Sequence, residues 1–148
     1  ACRRAGIAVE VVPGITSAIA VPAAAGIPVT HRGLSRGFSV ITAHADLGVL
    51  PQRRDHTLIL LMGVSRLRDS VTSLLEAGSD PATPAAIIER GYHPDQRVTT
   101  TELRCLADVA ARYDVTAPAV IVIGDVVTLS PYWADRVVEE ARPASPAA

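Results

Sequence analysis

The chain has no lysine and no asparagine, a single methionine, tryptophan and phenylalanine, two cysteines, and only 3% aromatic residues. Each shortage excludes something. Cys2 and Cys105 stand far apart, with no Cys-x-x-Cys spacing and no accompanying histidine pattern, so neither a disulfide framework nor a zinc site is expected. His31, His44, His56 and His93 share no ligand spacing, and no metal is assigned. No run approaches the roughly eighteen apolar residues of a membrane span. The first residues lack the charged-then-apolar layout of a signal peptide, so a soluble, cytoplasmic chain with reduced thiols is expected. A formal net charge of -1 provides no global attraction to nucleic acid or to an anionic membrane. There is no Gly-x-Ser-x-Gly elbow, no Gly-x-Gly-x-x-Gly turn and no Walker loop, which removes the hydrolase and nucleotide-phosphate readings.

With lysine absent, all 14 basic residues are arginine. A GC-rich coding genome is the simplest explanation. Arginine nonetheless grips carboxylates bidentately, and Arg32, Arg36, Arg53 and Arg54 gather in one stretch of the chain.

What is present is a chain of 148 residues, 49% hydrophobic and 20% charged, enough for one good core or for one domain with a piece of another. The most informative stretch is VVPGITSAIAVPAAAGIPVTHR, from Val11 to Arg32. Val9, Val11 and Val12 are β-branched and read as a buried strand over 7–12, which Pro13 and Gly14 end. Thr16 or Ser17 can cap the alanine-rich helix expected over 16–25. Hydroxyls and free backbone N–H groups thus meet at a strand-to-helix corner, and in a parallel sheet such corners lie at the carboxyl ends of strands, where ligands bind.

The pattern divides near residue 37, after Gly26, Pro28, Gly33 and Gly37 have interrupted it repeatedly. Strands are expected at 38–43, 57–61, 85–89, 97–101 and 118–124, with helices at 65–77 and 103–113, a self-sufficient α/β unit. Gly78 ends the first of these helices, and the loop SDPATP keeps it from resuming. The units expected are therefore 1–37, 38–134 and a terminal helix remnant with a flexible tail over 135–148. The apolar helix 16–25 has no face suited to water and must pack against something, a second copy of the chain being one option.

VVPGITSA followed by AGIPVTHR resembles the middle of the uroporphyrinogen-III C-methyltransferases, tetrapyrrole methylases that use S-adenosylmethionine. TLILLMGVSRL at 57–67, AAIIERGYHPDQRV at 85–98 and APAVIVIGDVV at 117–127 are similar to the same family, in its order. The resemblance implies a carboxyl-terminal α/β domain of such a methylase, preceded by the closing strand and helix of an amino-terminal α/β domain. It also implies an earlier half with a Gly-Pro-Gly-Asp loop and a Gly-Asp-Pro segment. This sequence has neither and opens without an initiator methionine, so it is expected to be the later part of a larger enzyme, and no general base is placed in it.

Carried over residue by residue, the resemblance implies a cofactor site for S-adenosylmethionine, or its product S-adenosylhomocysteine, at Thr16, Ser17, Met62, Gly91 and Ala119. Gly91 would let the backbone come close to a ligand. His31 and Arg32, in Thr-His-Arg, are candidates to meet carboxylates of uroporphyrinogen III, and this tripeptide favours that substrate over those of the cobalamin-pathway relatives. Tyr92, where a threonine is more usual, and the stretch Ile19 to Pro22 depart from the family and bear on substrate fit. The family implies a homodimer and methyl transfer to a carbon nucleophile of the substrate, yielding precorrin-2 for sirohaem or cobalamin synthesis. Taken singly, Met62 reads equally as a core residue, Thr16 and Ser17 as a plain helix cap, Gly91 as a turn, and His31 as a loop histidine. A precorrin methyltransferase and a non-catalytic binding or dimerisation domain are the alternatives.

Overall fold

The computed structural model describes residues 1–43 and 47–137. Its elements run α1 (Ser17–Ala24), β1 (Gly37–Thr42), β2 (His56–Leu61), α2 (Leu67–Glu76), β3 (Pro84–Glu89), β4 (Arg97–Glu102), α3 (Leu106–Arg112) and β5 (Ala119–Ile123), joined in places by short 3-10 turns. The strands and helices read from periodicity beyond residue 37 are all present, α2 and α3 each preceded by a 3-10 turn, at Val64–Arg66 and Leu103–Cys105. The tail at 141–148 and His44 lie outside the described residues.

The strands form one five-stranded sheet in the order β1-β2-β5-β3-β4. Only β1 and β2 are parallel; β5 runs antiparallel to both of its neighbours, β2 and β3, and β4 is antiparallel to β3. The sheet is therefore mixed, not parallel, because β5 enters between β2 and β3 from the opposite end. β2 and β3 nonetheless point the same way, and their carboxyl ends lie together.

Alternation along each strand divides the core between two faces. Leu58, Leu60, Ala85, Ile87, Ile121 and Ile123 meet α2 and α3, where Leu67, Val71, Leu74 and Leu106 are buried at helical spacing. Ile59, Ala86, Ile88, Val120 and Val122 face the other way, against Ala18, Ala25 and Ile27 of α1 and its exit and against Val126 and Val127. The small residues of α1 allow it to lie close on the sheet, which is what its apolar composition requires.

Each helix ends in the same device. At the close of α2, Gly78 takes φ 97° and the N–H groups of Gly78 and Ser79 donate to the carbonyls of Leu75 and Leu74. Gly26 closes α1 in this way, with Ile27 N–H donating to Pro22, and Asp114 (φ 48°) closes α3. The helix after Gly14 is capped by Thr16, whose hydroxyl oxygen accepts from the Ala18 N–H at 3.3 Å; Ser17 is its first residue.

The strand expected over 7–12 is not formed. Residues 7–16 have no regular structure, and Val11 and Val12 are 74% and 83% exposed. A β-branched run becomes a strand only by pairing with a neighbour, and none of the five strands takes it as one.

Candidate functional site

Beyond the carboxyl ends of β2 and β3, on the α1 side of the sheet, lies an open cleft of about 730 Å³. Its floor is apolar, made by Leu61, Ile88 and Val120 at the strand ends, with Val21 of α1 and Pro118 as walls. Ser17 and Ser65 add hydroxyls at the rim. A concave, mainly apolar volume with a few polar groups has the size and character of a small-molecule site.

The residues that turn the chain around this cleft hold unusual backbone. Met62, directly after β2, has φ 54°, and Arg90 and Tyr92, directly after β3, have φ 48° and 66°. A non-glycine residue in the left-handed region costs on the order of 1–3 kcal/mol and persists only where its surroundings enforce it; such positions gather at functional sites. Met62 is 65% exposed, so its side chain is not the core residue that its place after an apolar strand suggests.

Ser17, Met62, Gly91 and Ala119 all line this one cleft. Thr16 sits one residue outside its lining, occupied as the cap of α1. His31 and Arg32 belong to a separate exposed turn, in which the His31 N–H donates to the Ser35 carbonyl at 3.1 Å, and neither lines the cleft. Gly91 is needed for a reason other than closeness to a ligand. A Cβ there would stand 2.7 Å from Val21 Cγ1 and 2.8 Å from Val21 Cγ2, so the missing side chain is what lets α1 close against the β3 loop.

Of the arginines grouped by sequence, most are engaged with aspartates. Arg53 and Arg36 meet Asp55, and Arg54 bridges Asp80 and Asp125 at 2.8 and 2.5 Å. The hydrogen bond from Arg53 holds Asp55 below the usual carboxylate range, and the Ala82 N–H, together with Arg54, does the same for Asp80. Within the cleft wall, Arg90 is likewise matched, its Nε lying 2.7 Å from Asp95, while Asp95 also pairs with His93.

Sequence reasoning overlooked a buried cluster just behind this wall. The Glu89 side chain, at the end of β3, is fully buried, and its carboxylate accepts from Arg97 Nε at 2.5 Å, Arg97 Nη2 at 2.8 Å and the Thr116 N–H at 2.9 Å. Burial pushes this carboxyl up, but the bonds from Arg97 and Thr116 and the charges of Arg97 and Arg90 outweigh it and hold it below the ordinary glutamate range. The available signal was a carboxylate closing an otherwise apolar run, PAAIIE, which demands a partner once the strand is central. Among the described residues, no group of three or more His, Cys, Asp or Glu side chains could hold a metal ion, and no helix is long and apolar enough to cross a membrane.

Residues 1–107 match the family model of the tetrapyrrole (corrin/porphyrin) methylases. The chain belongs to this family. One methylase relative, the S-adenosyl-L-methionine-dependent uroporphyrinogen III methyltransferase of Methanosarcina barkeri, is 46% identical over 132 residues, covering 81% of this chain and 50% of that protein. The sirohaem synthase of Xylella fastidiosa is 43% identical over 135 residues, 86% of this chain and 28% of its own length. Among solved methylases, the uroporphyrin-III C-methyltransferase of Thermus thermophilus complexed with S-adenosylhomocysteine superimposes with a TM-score of 0.73 at 36% identity, over 85% of this chain and 54% of that one. The chain thus spans about half the length of the Methanosarcina methylase, and less of the sirohaem synthase.

Proposed function

We propose that this chain supplies part of an S-adenosylmethionine-dependent C-methyltransferase acting on uroporphyrinogen III, with the cleft at the ends of β2 and β3 as its share of the cofactor site. The observation that carries the reading is the convergence of Ser17, Met62, Gly91 and Ala119 on one cleft, in a chain 46% identical to a methyltransferase of that specificity. These positions come from separate elements, and they are four of the five that the family resemblance implies for the cofactor, Thr16 being the fifth.

The residues fit such a cofactor. A nucleoside with an amino-acid arm needs apolar surface for its base, hydroxyls and backbone groups for its polar ends, and no phosphate loop; the cleft combines Ile88, Val120 and Pro118 with Ser17 and Ser65. The turns at Met62 and at Arg90 to Gly91 bring main chain to the rim, where Ala119 with its short side chain leaves room. When bound, the cofactor supplies the methyl group. The chain's part is alignment: held walls fix one reactant against the other, which is where much of the acceleration of an in-line transfer originates. Thr16 contributes through α1, whose first turn it holds in place.

For the substrate, His31 and Arg32 remain the proposed contacts to its carboxylates. Both are exposed, and no ion partner of Arg32 is present among the described residues. The homodimer implied by the family resemblance belongs to the same proposal, and the relation to sirohaem synthases supports sirohaem as a destination of the product.

The test is a calorimetric titration of the 148-residue chain with S-adenosylhomocysteine, which avoids the air-sensitive substrate. Saturable one-site binding is expected, and Met62→Pro, which cannot adopt φ 54°, should abolish it. A folded sample that does not bind would overturn the assignment of this cleft.

A further inference from the structure

We propose that Glu89 and Arg97 form a positioning clamp that fixes both walls of the cleft from behind, without touching what binds there. This deepens the reading just given and rests on it for the identity of the ligand.

The geometry begins with the register. Glu89 pairs with Arg97 on β4 and with Ala119 on β5, so it occupies the point where three strands meet at one end of the sheet. Ile88 faces the cleft, and alternation turns Glu89 to the opposite face. The carboxylate therefore cannot be a ligand contact. What it holds is backbone on either side. Its own chain continues directly into Arg90 and Gly91, one wall of the cleft. Its Oε1 accepts the Thr116 N–H at 2.9 Å, just before Ala117, Pro118 and Ala119 form the other wall.

Two further bonds close the arrangement. The Arg90 N–H donates to the Pro118 carbonyl at 3.0 Å, joining the two walls directly, and Arg97 Nη2 reaches the Asp114 carbonyl at 3.2 Å. Arg97 grips Glu89 through a two-pronged fork, which fixes direction as well as distance. A single buried charge thus sets the separation of two loops that approach the ligand from different strands. It also secures the left-handed turn at Arg90, which would otherwise relax.

The test compares wild type, Glu89→Gln, Arg97→Gln and the double variant by calorimetric titration with S-adenosylhomocysteine and by amide hydrogen exchange. Each single variant is expected to weaken binding on the order of tenfold, since even a small misplacement of positioning groups is costly. The double variant should be little worse than either, since both remove the same clamp. Exchange should quicken at Arg90, Gly91 and Thr116 while the central β2 amides keep their protection. Unchanged affinity in folded single variants would overturn the clamp, as would a uniform rise in exchange with binding lost only in proportion to the unfolded fraction. Should Glu89→Gln not fold, wild-type exchange decides: Thr116 and Arg90 should open together as one unit, and independent opening of the two refutes the proposal. If the wild-type chain binds no S-adenosylhomocysteine, the functional reading fails, while the exchange pattern still judges the clamp.

Discussion

The two faces of the sheet are built from the same strands, with alternate residues assigned to each, yet they end up unlike. On one face α2 and α3 cover Leu60, Ile87 and Ile121 completely. The other is covered by the eight-residue α1, of which only Ala18 and Pro22 are buried, and by the 3-10 turn at Asp125–Leu129. The central strands present apolar residues on both sides, so their apolar character does not decide where a ligand can enter. The covering elements do: α2 and α3 leave only a small pocket of about 30 Å³ beside Leu58, Leu74 and Ile123, while one short helix of small residues leaves the strand ends open at Leu61, Ile88 and Val120. An under-covered apolar face, bordered by strained turns, is a cleft.

That contrast can be tested by damaging each side in turn. The largest effect should come from the closed face, where Leu106→Ala removes a fully buried side chain and should cost about 2–5 kcal/mol, read by urea denaturation. On the open face, Gly91→Ala places a methyl against Val21 and should cost about 1–3 kcal/mol, with weaker S-adenosylhomocysteine binding. Adding Val21→Ala should restore much of it, and no recovery would mean that the contact between α1 and the loop is not what demands glycine. Thr16→Ala should cost about 1 kcal/mol, seen as faster amide exchange in the first turn of α1 while α2 is unaffected.

The smallest effect expected is one of pH. Because Glu89 is held below the ordinary glutamate range when folded, its contribution is fully present above the unfolded value of about 4.3 and is lost as pH falls through the folded one. The acid limb of a stability-against-pH curve should therefore be shallower for Glu89→Gln than for wild type. Parallel limbs would remove the ionised carboxylate from the account.

Local patterns made much of this legible. The apolar runs at 57–61 and 118–124 and the spacing of Leu67, Val71 and Leu74 are strong local signals, and Gly78 announces a helix end, so these elements stand where expected. The run at 7–12 has an equally strong β pattern and forms no strand, since pattern provides a candidate edge and not its neighbour. Resemblance singled out Ser17, Met62, Gly91 and Ala119, which the fold brings to one cleft, but it did not give the packing reason for Gly91. Neither was Glu89 noticed, because a lone acidic residue in sequence looks like a surface residue until a strand on each side encloses it.

By itself, the amino-acid sequence determined which strands and helices form beyond residue 37, which residues are apolar enough for two faces, and to which family the chain belongs. These depend on side chains within a few positions of one another, or on identity in order. The mixed strand order, the opening of one face, the collision awaiting any side chain at Gly91 and the three-way hold on Glu89 were decided only by the tertiary structure. Each depends on groups distant in the chain and brought within a few ångströms, as Val21 and Gly91 are, and no local preference encodes such a meeting.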